Sequence, residues 1–331
     1  MNNQGRTALR FIIAFGVMVF CGLILFAYGL RLATKRDENQ RAAAGAKSPF
    51  NGQRAYEDLK RIVAIGPRPP GSPQADQLRD FLREQLTQIG IPYREHRFEA
   101  DTPIGKITML NLVAEIKGST PGTILIGNHY DTKYMPGITF VGANDGGSTT
   151  AWMLEMARAI GPSRKGRTLW LVWFDGEEAI KEWSDTDGLY GSREFVRDLR
   201  RRNELKSIHA MINVDMIGDV YLGIVRDPGA PPWLSTLVWT QAAELGYSSH
   251  FLPTSMPVQD DHMPFRLAQI PALELIDFEY GGSALEHRSN WHTERDTIDR
   301  VDPRSLQVVG DVLYHALPTM DQLLDEGVAG R

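Results

Sequence analysis

Residues 168–193 read TLWLVWFDGEEAIKEWSDTDGLYGSR, and this stretch decides the fold class. Its first part, residues 168–174, is almost wholly apolar, which is typical of a strand buried on both faces of a sheet. An acidic segment, DGEE at 175–178, follows at once, and a helix is predicted around residues 192–202. A buried strand that runs into carboxylates and then into a helix is the repeating unit of an α/β sheet.

The same alternation of strand and helix extends in both directions along the chain. Two helices are predicted before the first strand, and further strands and helices then follow in turn. The predicted helices are 56–65, 78–89, 148–160, 233–245 and one that starts at 304, and the predicted strands are 107–116, 123–128, 208–214 and 272–277. This order predicts an α/β fold with a mostly parallel mixed sheet that helices cover on both faces.

Composition excludes several classes of protein. The chain has 331 residues, 42% hydrophobic and 23% charged, so it is long and apolar enough to bury a globular core. A formal net charge of -5, without a basic stripe, argues against a nucleic-acid partner. The one cysteine, Cys21, lies near the N-terminus, so the rest of the chain has no thiolate for catalysis or metal binding.

The N-terminal segment differs from the rest. Residues 11–30 (FIIAFGVMVFCGLILFAYGL) carry no charge and are long enough to span a bilayer, which predicts a single-pass transmembrane anchor after a short tail at 1–10. A cleaved secretory signal is the alternative, but the nearest A-x-A site is as far away as 42–44. A polar tether is predicted at 31–53 and one catalytic domain at 54–331. Basic residues flank the anchor on both sides, so charge leaves its orientation open.

Polar side chains recur at or near the ends of the predicted strands. The segments are His129-Tyr130-Asp131, Asn144-Asp145, Asp175-Gly176-Glu177-Glu178, Asp215, Asp260-Asp261-His262 and Trp291-His292. Each segment alone has an ordinary explanation, as a surface pair or a solvated helix start. Together they would place carboxylates and imidazoles at one sheet edge, where they repel or desolvate each other unless a cation holds them. Without thiolates, the pattern predicts a catalytic zinc that keeps one coordination position open.

From about residue 66 to 299 the chain resembles the clan that unites zinc aminopeptidases with glutaminyl cyclases. The resemblance implies the clan's fold, and it implies Glu177 as the carboxylate that moves protons. It also implies the metal ligands of the clan at the matching positions. These are His129 in NHYD, Asp145 in GAND, Glu178 in DGEEA, Asp215 in NVDMIGD and His292 in WHT.

Finer marks favour the cyclase branch of the clan. The chain resembles it in HYDTKY, in DDHMPF, in the long stretch that contains Trp183, and in Trp291 directly before His292. In cyclases the equivalents of Trp183 and Trp291 wall a pocket for a glutaminyl side chain, although tryptophans here also suit core packing. The segment NDGG at 144–147 departs from this and looks more like the aminopeptidase form.

The resemblance implies a cyclase that converts N-terminal glutamine of peptides or proteins to pyroglutamate. Zinc held by Asp145, Glu178 and His292 would polarise the γ-carbonyl, with Glu177 as proton shuttle. In cyclases the counterparts of Asp215 and Asp260 form a hydrogen-bonded carboxylate network around this residue. One zinc is expected, while His129 and Asp215 leave a second metal open.

Two other functions are weighed against the cyclase. One is a two-zinc aminopeptidase, in which Glu177 activates water and the first residue of a peptide is released. The other is an inactive, membrane-tethered peptide-binding domain, which the intact ligand set disfavours. Because both branches commonly act on exported peptides, the resemblance implies a catalytic domain on the extracytoplasmic side of the membrane.

Overall fold

The computed structural model describes residues 48–281 and 289–328. The predicted tail at 1–10 and the predicted anchor at 11–30 lie outside these ranges, as does the tether up to residue 47. Among the helices that are described, none is long and apolar enough to cross a membrane.

The folded domain begins a few residues before the predicted boundary at residue 54. Helix α1 spans Gly52–Ile65, and the side chain of Asn51 caps it by accepting a hydrogen bond from the backbone N–H of Arg54. Phe50 is buried and lies 5.9 Å from Trp152, measured between ring centroids. The last part of the predicted tether therefore belongs to the domain.

Three strands follow the first two helices, and helices and strands then largely alternate. The helices are α1 (Gly52–Ile65), α2 (Pro73–Gln88), α3 (Thr149–Ile160), α4 (Tyr190–Arg201), α5 (Pro232–Glu244), α6 (His262–Leu267) and α7 (Pro303–Asp325), with short 3-10 turns at Leu205–Ser207 and Ile298–Arg300. The strands are β1 (Tyr93–Thr102), β2 (Gly105–Ile116), β3 (Thr120–His129), β4 (Arg167–Phe174), β5 (Ile208–Asp215), β6 (Ile224–Arg226), β7 (Phe251–Ser255) and β8 (Ala272–Ile276).

The main sheet has the strand order β1-β2-β4-β3-β5-β8. Strands β4, β3, β5 and β8 are parallel to their neighbours in this order, whereas β1 and β2 pair antiparallel with each other, and β2 also pairs antiparallel with β4. The predicted mostly parallel mixed sheet is thus confirmed. Because the parallel strands point the same way, the segments that follow them meet at one edge of the sheet.

The apolar run of β4 is explained by layers on both faces of the sheet. Leu171 and Trp173 belong to a core cluster with residues of α1, α2, α3, α5 and α7. Val172 and Phe174 point the other way and belong to a second cluster with residues of α4 and α6. Successive side chains of a strand point to opposite faces. A strand covered on both faces therefore has to be apolar at every position.

Several elements were missing from the sequence-based prediction. Strand β1 alternates exposed and half-buried residues and is rich in charge, so it has no apolar run that would mark it. Helix α6 has six residues, and strands β6 and β7 form a separate small sheet. Elements this short contain too few residues for hydrophobic periodicity to show.

Arg68, in the Pro/Gly segment between α1 and α2, is fully buried and ties two loops of the sheet edge together. Its guanidinium donates hydrogen bonds to the backbone carbonyls of Tyr130 (2.8 Å), Val141 (2.6 Å) and Gly142 (2.9 Å). Its backbone N–H donates to Thr132 Oγ1 at 2.9 Å. One cation thereby satisfies carbonyl groups that water does not reach.

We expect Arg68→Met to lower the free energy of unfolding by about 3 kcal/mol, because three carbonyls, two of them in buried hydrogen bonds, lose their donors. Urea denaturation of the domain measures this change. The matched control is Arg61→Met, whose side chain is 65% exposed, and it should shift the free energy by no more than about 0.5 kcal/mol. Equal effects of the two substitutions would contradict the role assigned to Arg68.

Candidate active site

Chemically active side chains gather at the carboxyl edge of the parallel strands. His129 is the last residue of β3 and Asp215 the last of β5, and Glu177 and Glu178 follow β4 closely. Asp145 lies in the irregular turn at Ala143–Ser148. All five are buried, so solvent does little to compensate their charges.

Two groups of potential metal donors share Asp145. The first consists of Asp145, Glu178 and His292, and the second of Asp145, His129 and Asp215; in each group the donor atoms lie within 4.8 Å of one another. His292 Nε2 is 2.9 Å from Glu178 Oε1 and 3.4 Å from Asp145 Oδ2. His129 Nε2 is 3.2 Å from Asp145 Oδ1 and also 3.2 Å from Asp215 Oδ1. The two carboxylate oxygens of Asp145 thus face different histidines.

These donors fit a divalent cation. Asp145 Oδ2 is buried and makes no hydrogen bond of acceptable geometry. Burial alone would lower the pKa of His292, but the carboxylates of Glu178 and Asp145 outweigh it and raise the pKa to about 9. The pKa of His129 is likewise raised, because neighbouring carboxylates outweigh its burial. The site therefore calls for positive charge, and imidazole with carboxylate donors suits zinc.

The backbone of Asp145 is held in place by Asp296. The carboxylate of Asp296 accepts hydrogen bonds from the backbone N–H groups of Asn144 (2.7 Å) and Asp145 (3.1 Å), and from the hydroxyl of Tyr280 (2.7 Å). Gly146 follows with φ of 70°, and a Cβ there would lie 2.9 Å from His129 Cε1. The NDGG segment therefore needs glycine so that the turn can approach His129 closely.

The paired glutamates are positioned by Asp131 in the same way. Its carboxylate accepts hydrogen bonds from the backbone N–H groups of Glu177 (3.1 Å) and Glu178 (3.4 Å). Lys133 Nζ lies 3.3 Å from Glu178 Oε2 and balances part of its charge. Burial, followed by the charge of Asp260, raises the pKa of Glu177 well above its usual range.

Asp215 and Asp260 form part of a larger group of buried carboxylates. Burial and the neighbouring charges of Glu274 and Asp215 raise the pKa of Asp260 well above its usual range. Asp215 Oδ1 accepts a hydrogen bond from the backbone N–H of Met216 at 2.8 Å. The same atom lies 3.2 Å from His129, so Asp215 belongs both to the carboxylate group and to the second set of donors.

Two residues of the site adopt backbone conformations that are unusual outside glycine. Met216 has φ of 46° and His292 has φ of 53°. Such left-handed conformations are costly for residues with bulky side chains and persist only where the surroundings enforce them. They place Asp215 and His292 at sharp turns of the chain, so both side chains reach the same edge.

A cavity of about 460 Å³ opens above the donors, a size typical of small-molecule sites. Glu177, Asp260, Trp183 and Trp291 all contribute to its wall. Trp291 stacks on His292 with ring centroids 4.0 Å apart. Trp183 is 42% exposed and donates from Nε1 to Gln259 Oε1 at 3.1 Å, so it lies at the opening rather than in the core.

The structure brings together all the site residues that the sequence suggested. Asp145, Glu177, Glu178, Asp215, Asp260, Trp183, Trp291 and His292 line one cavity, and His129 lies beneath it against Asp145 and Asp215. Sequence reasoning named Asp131 only as part of a polar segment and assigned no positioning role to Asp131, Lys133 or Asp296. Asp131 and Lys133 belong to the quoted HYDTKY motif and could have been found there. Asp296 lies in a segment without a sequence signal.

Comparison with known proteins agrees with this geometry. Residues 111–317 match the sequence model of peptidase family M28. A glutaminyl-peptide cyclotransferase from Bothrops jararaca is 30% identical over 80% of this chain and 80% of its own length. A crystal structure of a glutaminyl cyclase from an Acidobacteriales bacterium superposes with a TM-score of 0.79 at 38% identity, covering 84% of this chain and 97% of that one.

A glutaminyl cyclase from Porphyromonas gingivalis superposes with a TM-score of 0.76 at 28% identity, over 82% of this chain and 99% of that one. The predicted resemblance is thereby confirmed over nearly the whole described domain. These likenesses agree with the cavity and its buried donors. The chain belongs to peptidase family M28 and, within it, to the glutaminyl cyclases.

Proposed function

We propose that the chain is a zinc-dependent glutaminyl-peptide cyclotransferase that converts N-terminal glutamine of peptides to pyroglutamate and releases ammonia. The observation that carries this proposal is the position of Glu177, which lies beside the donor group Asp145, Glu178 and His292 in the wall of the cavity. The names of the relatives support the same activity.

The reaction requires one new bond, one broken bond and one proton transfer. The α-amino nitrogen of the substrate attacks the carbonyl carbon of its own side-chain amide, and the bond from that carbon to the amide nitrogen breaks. Glu177 accepts a proton from the amino group and returns it to the departing ammonia. Zinc bound by Asp145, Glu178 and His292 would supply polarisation of the amide carbonyl.

The protein contributes mainly orientation, because nucleophile and electrophile belong to the same substrate molecule. Hydrogen bonds from the backbone N–H groups of Glu177 and Glu178 to Asp131 hold the proton acceptor and a zinc donor in register. The rings of Trp183 and Trp291 wall the cavity and limit how the glutaminyl side chain lies. The charge of Asp260 supports the neutral form that Glu177 takes after accepting a proton, and Asp215 in turn acts on Asp260.

A two-zinc aminopeptidase is the second candidate, and two observations favour it. His129, Asp145 and Asp215 form a complete second donor group, and the turn that carries Asp145 has the aminopeptidase-like NDGG sequence. The tryptophan walls and the named relatives favour the cyclase. We therefore propose one zinc per chain, bound by Asp145, Glu178 and His292.

We also propose that residues 11–30 anchor the enzyme in a membrane, with the catalytic domain on the extracytoplasmic side. The support is the uncharged, apolar sequence of this segment, which has the length that a bilayer requires. The side of the membrane rests on the exported peptides on which such enzymes commonly act.

Glu177→Gln is expected to reduce kcat on a glutamine-initiated peptide by about 10²- to 10⁴-fold, because an amide cannot accept and return the proton. Zinc content and KM should change little. Release of ammonia and loss of about 17 Da from the peptide measure the activity. Glu182→Gln, an exposed change in the same loop, is the control and should keep wild-type turnover.

Two results would contradict parts of this assignment. Turnover of Glu177→Gln near that of Glu182→Gln, with zinc retained, would remove the proton-transfer role. Release of free glutamine and a shortened peptide by the wild-type enzyme would establish the aminopeptidase instead of the cyclase.

Metal analysis of the purified domain should find one zinc per chain, which His292→Ala loses together with activity because one of three protein donors is removed. The matched variant is His129→Gln, which alters the other donor group and should retain the zinc. A wild-type content of two zinc ions, reduced to one by His129→Gln, would contradict the single-zinc proposal.

Deletion of residues 1–34 should release the protein from the membrane fraction while its specific activity stays within about two-fold, because the anchor lies outside the catalytic domain. Fractionation followed by the ammonia assay measures both properties. If the complete sequence is expressed and the protein is recovered in the soluble fraction with its N-terminus cleaved near residue 42, the segment is a cleaved signal instead.

A further inference from the structure

A surface groove of about 630 Å³ adjoins the active-site cavity. Trp183 and Gln259 line both, and their side chains are joined by the hydrogen bond of 3.1 Å. The groove therefore begins where the cavity reaches the surface. A peptide whose first residue occupies the cavity has this groove beside its path outward.

Part of the groove lining, its floor, is apolar. Val196 of α4 contributes to it, and so do Met263, Pro264 and Leu267 of α6. The Leu267 side chain is 75% exposed, which is unusual for a large aliphatic residue beside other apolar groups. The floor can thus bury apolar parts of an extended peptide.

One wall of the groove is a stripe of arginines on α4. Arg193, Arg197 and Arg200 all line it, and their spacing of four and three residues places them on one face of the helix. Among the residues that the structure describes, Asp185 is the only acidic one that lines the groove. The described lining therefore carries a net positive charge.

The charges of this stripe are only partly neutralised. The Arg193 guanidinium donates to the backbone carbonyls of Asp185, Thr186 (3.0 Å) and Leu189 (3.2 Å) rather than to a carboxylate. Arg197 pairs with Glu194. Arg200 is exposed and makes no ion pair within the described part of the chain.

The neighbouring arginine behaves differently. Arg201 does not line the groove, and it pairs with Glu194 at 2.9 Å and with Asp198 at 3.3 Å. Arg201 therefore has carboxylate partners on its own helix, and it shares Glu194 with Arg197. Arg193 and Arg200, which border the groove, have no such partner within the described part of the chain.

We propose that this groove binds the residues that follow the N-terminal glutamine of the substrate, and that it selects peptides with acidic side chains there. The inference rests on the proposed cyclase function, because it takes the cavity as the site of the first residue. Arginine forms paired hydrogen bonds with carboxylates, so acidic side chains are the partners that complement the stripe. The apolar floor accommodates the residues between them.

The test compares peptides of different length and charge on the intact domain. Three seven-residue peptide amides begin with glutamine and carry two glutamates, two glutamines or two lysines at their fourth and fifth positions. A two-residue amide, Gln-Ala-NH2, lacks the later residues that the groove is proposed to bind. The wild-type enzyme should have the highest kcat/KM on the glutamate peptide and the lowest on the lysine peptide, and added salt should narrow the difference.

Arg200→Glu is the informative variant, and Arg201→Glu is the matched control with the same change in charge on the adjacent residue. Arg200→Glu should lower kcat/KM on the glutamate peptide about 3- to 10-fold, mainly through KM, as exposed ion pairs of this kind contribute modestly. Turnover of Gln-Ala-NH2 should stay at the wild-type level in both variants. Arg201→Glu should retain the preference for the glutamate peptide.

The outcomes separate this inference from the proposed function. Wild-type turnover of Gln-Ala-NH2 without any preference among the long peptides overturns the groove alone. Failure to cyclise any of the four glutamine-initiated substrates overturns both. Equal effects of Arg200→Glu and Arg201→Glu would show that the preference for the glutamate peptide comes from the overall charge of the enzyme. That result would overturn the proposal that the groove binds the substrate. Binding of the domain to phosphatidylglycerol vesicles that Arg200→Glu abolishes, with peptide kinetics unchanged, would assign the stripe to a lipid surface and likewise overturn it.

Discussion

The two groups of metal donors share Asp145, and the geometry of the rest of the site depends on the contacts of this one carboxylate. Its two carboxylate oxygens face histidines that are far apart in sequence, His129 at the end of β3 and His292 in a late loop. A single buried carboxylate thereby joins the two donor groups. Such an arrangement is stable only where positive charge balances it, so the geometry of the whole sheet edge is linked to the charge that the edge holds.

Both acidic loops of the site are positioned in the same way, by a carboxylate that accepts hydrogen bonds from two successive backbone N–H groups. Asp296 accepts the N–H groups of Asn144 and Asp145, and Asp131 accepts those of Glu177 and Glu178. Loops at strand ends leave backbone N–H groups without partners, and an ionised acceptor forms the stronger kind of hydrogen bond. Each proposed zinc donor or proton acceptor on these loops therefore has its backbone held by a carboxylate from another segment, which limits reorganisation during a reaction.

The strand ends could be predicted from the sequence because buried parallel strands have a simple signature, and polar residues at or near these ends indicated the edge that carries the site. The roles of metal ligand and proton shuttle were implied by the resemblance to the clan. Asp296 could not be predicted in this way, because its role depends on a backbone contact with a turn 151 residues earlier. Strand β1 was not predicted, because its many charged residues obscure the alternation of apolar and polar positions that marks a strand. The arginine stripe of α4 is visible as charge in the sequence, but only the packing of α6 beside it shows that a groove lies there.

Strand β1 has a consequence for how the molecule behaves at high concentration. It forms one edge of the main sheet and pairs with β2 on one side. An exposed edge has backbone donors and acceptors that could pair with the edge of another molecule. Arg94, Glu95, Arg97 and Glu99 cover this strand with alternating charges, and such residues oppose edge-to-edge pairing. The polarity that concealed the strand in the sequence thus protects a largely parallel, slow-forming sheet against aggregation.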